Sequence, residues 1–461
     1  MELETALNEL SDEADRLVFA ASRQGRVSDL LGHLMFGVYN IALAVTSPVV
    51  LGILLAKRRC RPGLLQRLGF LPKRIAASGP DRHTIWVHAV SMGEVNAVVP
   101  LVQELKVRDP HCHIVVSTVT ETGKETVTRR LEGLAQHLYF PLDFPFSVQK
   151  VMATIRPSVI LIVETELWPN FLKTATIRGV PCVLVNGRLS TDSFAGYMRL
   201  RPFFSRIVKC FSLCLMQSDR DVERVLALGA DAERVVRVGN LKFDQKPFTL
   251  SARLIGLGLE AHEDLFVAGS THPQEEEAVL TCYRELLDIA PGLVLLLAPR
   301  HIERAQALES TIRERGFAVV RRTSLDRQPT AMKGPRVILL DTRGELAALY
   351  TQAALVFVGG SLVPIGGHSP LEPAFAGKAV IFGPHMDHFA EVAELLVAQG
   401  GAIQVQNSQE MASVLGGLLK DRARLNQMGR AAEQIVRSQQ GTVARTAELI
   451  AALLKRLPQP R

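Results

Sequence analysis

The chain has 461 residues, 47% of them hydrophobic, 21% charged and 6% aromatic, and a formal charge of +7. That length exceeds what one ordinary core fills, so two or three domains are expected, in a folded globular protein rather than a disordered or fibrous one. The modest positive surplus suits an anionic membrane surface or a phosphorylated substrate and argues against a nucleic-acid partner.

The start is acidic (Glu2, Glu4, Glu9, Asp12, Glu13, Asp15), and an apolar stretch follows from Leu30 to Ala56. It is long enough to cross a hydrocarbon core of about 30 Å, although His33, Asn40 and Pro48 interrupt it. A basic run comes next: Lys57, Arg58, Arg59, Arg61, Arg67, Lys73 and Arg74. Positive charge on that side predicts an anchor helix with the body of the protein in the cytoplasm, against a cleaved signal peptide. Residues 1–60 are therefore read as an extension and membrane anchor. Six scattered cysteines, with no CxxC pair and no zinc spacing, read as small core residues in a reducing compartment.

Beyond the anchor, short β-branched runs alternate with helical patterns. Strands are expected at Ile85 to Val90, His113 to Val119, His137 to Pro141, Val159 to Glu164, Cys182 to Asn186, Ser212 to Gln217 and Val235 to Asn240. After a linker, Leu241 to Leu254, seven more follow: Leu265 to Ser270, Leu293 to Arg300, Ala318 to Arg322, Arg336 to Asp341, Leu355 to Gly360, Ala379 to Gly383 and Ala402 to Val405. Continuous apolar runs joined by helices predict parallel sheets covered on both faces. The expectation is an α/β protein of two Rossmann-like, doubly wound domains facing a cleft, at residues 61–245 and 246–435. A last helical stretch, Ala423 to Leu457, includes a segment at 436–461 able to cross back to the first domain. Ligands of such sheets bind at the carboxyl ends of strands, so the loops there carry the candidate chemistry.

In the first domain, HAVSMGE places Ser91, Gly93 and Glu94 after the first strand, with Gly93 easing a tight turn. Glu94 there can remove a proton from an acceptor hydroxyl, or it can simply satisfy helix-start N–H groups. ETELWPN brings Glu164 and Glu166 beside Trp168, and NGRLS brings Arg188. These groups can orient a sugar or phosphate, or form caps and an ion pair. In the second domain, STHPQEEE offers Ser270, Thr271 and His272, and APRH offers Arg300 and His301, a pair suited to a leaving phosphate. The run from Val358 to His385 contains Gly359, Gly360, Ser361, Gly366 and Gly367, then a helix start with Glu372. Its glycines and helix N–H groups suit an anion, and Glu372 a ribose. The run is neither GxGxxG nor a P-loop.

Taken together, HAVSMGE, ETELWPN, NGRLS, GNLKFD, STHPQEEE, APRHIER, DTRGELAALY and FVGGSLVPIGGHSPLEP closely resemble the Kdo transferases (Kdo is 3-deoxy-D-manno-octulosonic acid) of lipopolysaccharide synthesis. The resemblance runs from about Met35 to the C-terminal helices; residues 1–34 have no counterpart in typical members. It implies the GT-B fold, with lipid A (as lipid IVA) bound by the N-terminal half and CMP-Kdo by the C-terminal half. It also implies inverting transfer without metal or cofactor, at the cytoplasmic face of the inner membrane. On this resemblance Glu94 is the general base, Glu164 and Glu166 are acceptor-side or structural, and Arg300, His301, Gly359 to Ser361 and Glu372 meet CMP. A GT-B enzyme using another nucleotide sugar, a sugar-nucleotide epimerase and an anchored periplasmic binding protein are the rival readings.

Overall fold

The computed structural model describes residues 30–56, 63–72, 75, 82–244, 256–325 and 334–456. The acidic start, Lys57, Arg58, Arg59, Arg61, Lys73, Arg74 and most of the linker lie outside the described residues. Two compact units form, Met1–Gln245 with Gly441–Arg461, and Lys246–Gln440.

The first unit is built on β1 (Thr84–His88), β2 (His113–Thr118), β3 (Gln136–Tyr139), β4 (Val159–Val163), β5 (Cys182–Gly187), β6 (Phe211–Met216) and β7 (Val235–Arg237). Their order is β3-β2-β1-β4-β5-β6-β7, every neighbouring pair parallel. The strands are apolar without alternation because both faces are covered. Ile85, Val87 and Leu161 pack on one side against Val95, Val98 and Val102 of helix Met92–Arg108. Trp86 and Ile160 pack on the other side with Phe140, Val151 and Phe171. The chain order reverses between β1 and β4, which opens the sheet to ligands at those two strand ends.

The second unit repeats the plan with β8 (Asp264–Thr271), β9 (Leu293–Pro299), β10 (Ala318–Arg321), β11 (Arg336–Leu339), β12 (Leu355–Val358), β13 (Val380–Phe382) and β14 (Ala402–Gln404). The order is β10-β11-β9-β8-β12-β13-β14, again parallel, with the reversal between β8 and β12.

Two details differ from the sequence expectation. The C-terminal stretch is not one helix: Arg422–Ser438 ends at a turn in which Gly441 has φ +99°, and Thr442–Arg456 begins afresh. The Asp244 carboxylate accepts from the N–H groups of Gly441 and Val443, and Ala447, Ile450 and Leu453 then join the core of the first unit. Arg67 is not a surface cation. It is buried, donates to the Val119 carbonyl, and sits over the Tyr139 ring.

Leu30–Ala56 is one helix with Pro48 inside it. Phe36 and Tyr39 pack on Phe203, the Tyr39 hydroxyl donates to Asp143 at 2.9 Å, and Asn170 Nδ2 donates to Asn40 Oδ1 at 2.6 Å. Leu34, Val38, Ile41, Val45 and Val49, at helical spacing, are left exposed. Among the described residues no helix is long and apolar enough to cross a membrane.

Two helical glycines of the second unit have opposite surroundings. A Cβ on Gly429 would lie 2.2 Å from the Gly377 carbonyl oxygen, whereas one on Gly417 meets nothing within 4 Å. Gly417→Ala should therefore stabilise the second unit by about 0.5–1 kcal/mol, from helix propensity alone. Gly429→Ala should cost about 2 kcal/mol or more, because backbone must shift. Urea unfolding of the two variants checks the opposite signs.

Candidate active site

At the reversal of the first sheet, the loop after β1 runs into helix Met92–Arg108. Ser91 is the N-cap, its Oγ accepting from the Glu94 N–H at 3.4 Å. Glu94 reaches back, accepting from the Val90 N–H at 2.8 Å and from the Ser91 hydroxyl at 2.9 Å. This is a capping box, so the helix-start role of Glu94 is realised in full. It does not bury the residue, which stays partly exposed. Gly93 has no positive φ, and a Cβ there would come no nearer than 3.7 Å to Ser91 Oγ. The turn does not require glycine; its absent side chain leaves the surface beside Glu94 bare.

Glu164 follows β4 at φ +58°, a left-handed conformation that costs a residue with a side chain about 1–3 kcal/mol. Lys242 Nζ lies 3.7 Å from its carboxylate. Glu166 accepts from Trp168 Nε1 at 2.8 Å, and the indole rests on Phe140, which stacks on buried His88. Pro169 opens the next helix, whose N–H groups at Asn170 and Phe171 are taken by Asp143. Arg188 contributes its backbone carbonyl, accepting from the Thr165 hydroxyl.

The three carboxylates act on one another. Burial first, then the charge of Glu164 and more weakly that of Glu166, push Glu94 up to about 7, against the Val90 and Ser91 hydrogen bonds. Burial, with Glu164 adding, also raises Glu166. A carboxylate poised near neutrality, partly open to solvent and rigidly held, can take a proton from a hydroxyl.

The second unit gathers cations at its own reversal. Arg300 and His301 follow β9, and the Arg300 N–H is held by the Thr271 carbonyl. His272 is buried, and its Nε2 lies 2.8 Å from Nε2 of His368. Glu372 stands in helix Leu371–Phe375; burial raises its carboxyl, while the Arg300 charge opposes the shift. Ser270 has φ +58°, and Thr271 is fully buried.

The glycine-rich turn does not offer the free N–H groups expected of it. The Gly359 N–H donates to the Gly269 carbonyl, and those of Gly360, Ser361 and Leu362 all donate to the carboxylate of Glu275, which is 1% exposed. A side chain from helix Glu275–Leu287 thus fills the cradle that an anion was expected to occupy. Ser361 is likewise internal, linking the Val358 carbonyl to the Gly383 N–H. The helix after HSP has only five residues, so its dipole is that of little more than one turn. Gly360 and Gly366 serve instead to clear space: Cβ atoms there would meet the rings of His368 and His388 at 2.9 and 2.7 Å. Gly367, at φ +74°, packs on Met386.

Lys242, Glu275 and His368 were missed as individual residues, although each lies inside a motif that was singled out. Lys242 lies in the short turn Leu241–Asp244 after β7, and only the folded chain brings it to Glu164. Glu275 looked like an ordinary first-turn acid of a helix.

Two parallel, doubly wound sheets, each with polar groups at its reversal, define a GT-B-like architecture. At 13% identity and TM-score 0.54, the fold matches UDP-GlcNAc 2-epimerase from Neisseria meningitidis over 81% of this chain and 100% of that one. Residues 63–245 match the family model described as 3-deoxy-D-manno-octulosonic-acid transferase (kdotransferase). The 3-deoxy-D-manno-octulosonic acid transferase of Haemophilus influenzae is 33% identical over 426 residues, 91% of this chain and 98% of that protein. A probable mitochondrial member from Arabidopsis thaliana is 29% identical over 88% of this chain and 93% of its own length. The chain belongs to the 3-deoxy-D-manno-octulosonic acid transferase family, and it is a glycosyltransferase.

Removing a like charge should lower the Glu94 pKa. In Glu166→Gln and Glu164→Gln the acid limb of the pH–rate profile for Kdo transfer should therefore move toward lower pH. Profiles that superimpose on the wild type contradict the coupling of the three carboxylates.

Proposed function

We propose that the protein transfers Kdo from CMP-Kdo to a lipid A precursor, lipid IVA, by a single inverting displacement without a metal ion, at the cytoplasmic face of the inner membrane. The observation that carries this reading is the Glu94 carboxylate, fixed by Val90 and Ser91 and raised to about 7. An inverting displacement needs a base for the acceptor hydroxyl and no covalent intermediate, which is what one poised carboxylate supplies. Burial, with the charges of Glu164 and Glu166 adding, holds Glu94 in that range, and Lys242 lies beside Glu164.

The donor belongs to the second unit on this reading. Arg300 offers the positive charge, and His301 and the histidines beside it the hydrogen-bonding groups, that a departing CMP phosphate needs, which supports transfer without a metal. Glu372 is the candidate ribose contact, while Glu275 and the Gly359 to Leu362 turn act as internal support. A lipid acceptor and an anionic membrane surface agree with the row of exposed apolar residues on helix Leu30–Ala56.

Glu94→Gln keeps the shape of the side chain and removes the base, so kcat should fall by about 10²–10⁴. CMP binding, measured by calorimetry, should stay within about twofold, as expected for a loss confined to the transition state. Loss of CMP binding in parallel with kcat would overturn the role. The wild-type rate should rise as pH passes upward through about 7, because the base is active only when ionised.

A further inference from the structure

Among the described residues, His272, His301, His368, His385 and His388 all lie in the strand-end loops of the second unit. Two of them form a specific pair. His272 and His368 approach Nε2 to Nε2 at 2.8 Å, with ring planes 4° apart. Two imidazole nitrogens at that distance hold one proton between them, one ring donating and the other accepting. A second proton therefore has to enter at an Nδ1, giving an imidazolium hydrogen-bonded to an imidazole.

The surroundings decide when that happens. Arg300, His301 and His388 face His368, and the His301 ring stands edge-on to His272 at 5.8 Å. The acids near His272 are Glu275 and Glu276. Glu275 is committed to four backbone N–H groups, and Glu276 is paired with Arg304 at 2.8 and 2.9 Å. Glu372, beside Arg300, is the remaining carboxylate of the corner. Burial and this positive field lower His272 and hold His368 down to about 3, so the empty site keeps the pair neutral. An arriving phosphate dianion would oppose the Coulombic part of both shifts and favour the protonated pair.

We infer that binding of a phosphate monoester in this corner draws one proton from solvent into the His272–His368 pair. In the transfer reaction, on which the donor side of this inference rests, the donor is a phosphodiester with one negative charge, and the pair takes up its proton as the second charge forms on the phosphate. The anomeric carbon–oxygen bond to phosphate breaks and its electron pair stays on the phosphate oxygen. The acceptor hydroxyl forms the new bond and gives its proton to Glu94, which later returns it to solvent, while the imidazolium that forms in the pair offsets the charge of the departing dianion. His368, kept in place by the cleared space at Gly360, is the residue that the pair adds to the site.

Calorimetry with CMP and the full-length protein tests this at pH 8, where a phosphate monoester (second pKa about 6) is already dianionic. Titrations in two buffers of different ionisation enthalpy give the number of protons exchanged. The expected result is net proton uptake on CMP binding by the wild type and by the exposed-site control His262→Gln, and loss of that uptake in His368→Gln. CMP binding without uptake in the wild type overturns the inference and leaves the donor reading standing. Uptake that persists in His368→Gln also overturns it, because another group then takes the proton. If CMP does not bind but UMP or AMP binds with uptake, the pair behaves as inferred and the choice of CMP as nucleotide fails.

Discussion

Three carboxylates share the end of one parallel sheet, and their burial close together is the constraint on this corner of the first unit. Glu94, Glu164 and Glu166 cannot all remain ionised in a half-buried corner without hydrogen bonds and a compensating charge. Glu94 draws its stabilisation from the Val90 N–H and the Ser91 hydroxyl, Glu166 from the indole of Trp168, and Glu164 from Lys242. What these contacts leave uncompensated appears as a base poised near neutrality. The left-handed backbone at Glu164 belongs to the same economy of space, since it turns the chain sharply out of β4 toward Lys242.

The second unit faces the opposite problem. Arg300 stands among a group of histidines, and the deeply buried Glu275 is turned inward onto the backbone of the glycine-rich turn. An anion-shaped cradle filled by the protein's own carboxylate is a scaffold: it fixes the turn, and the turn places His368 against His272. Anion recognition then falls to side chains instead of to backbone N–H groups. On the proposed reading the two units divide the chemistry by sign, with proton removal in one and charge acceptance in the other.

All fourteen strands were legible in the sequence, because strands buried on both faces read as unbroken apolar runs between helical patterns. Glu94 could be singled out as well, since a capping box and a strand-end position are local features. Long-range pairings could not. Lys242 meets Glu164 across 78 positions of chain, Glu275 reaches a turn 85 positions away, and His368 meets His272 across 96. No local pattern records such pairings, and the glycines of the turn gave the same sequence signal whether an outside anion or an internal carboxylate was to fill it. Arg67 misled for a related reason: an arginine among surface-like basic neighbours finds a carbonyl and an aromatic face that only the folded chain supplies.

The two roles of Glu94 are one arrangement. The hydrogen bonds that cap helix Met92–Arg108 also deny the side chain other rotamers, so the base is placed by the same contacts that start the helix. Its ionisation can be read directly by isotope-edited infrared titration of ¹³C-glutamate-labelled protein, taking the difference against Glu94→Gln. The account predicts a carboxylate band for Glu94 that appears with a midpoint near 7. A midpoint in the ordinary glutamate range, near about 4.3, would mean that neither burial nor the neighbouring acids perturb it, and the proposed base would lose its physical foundation.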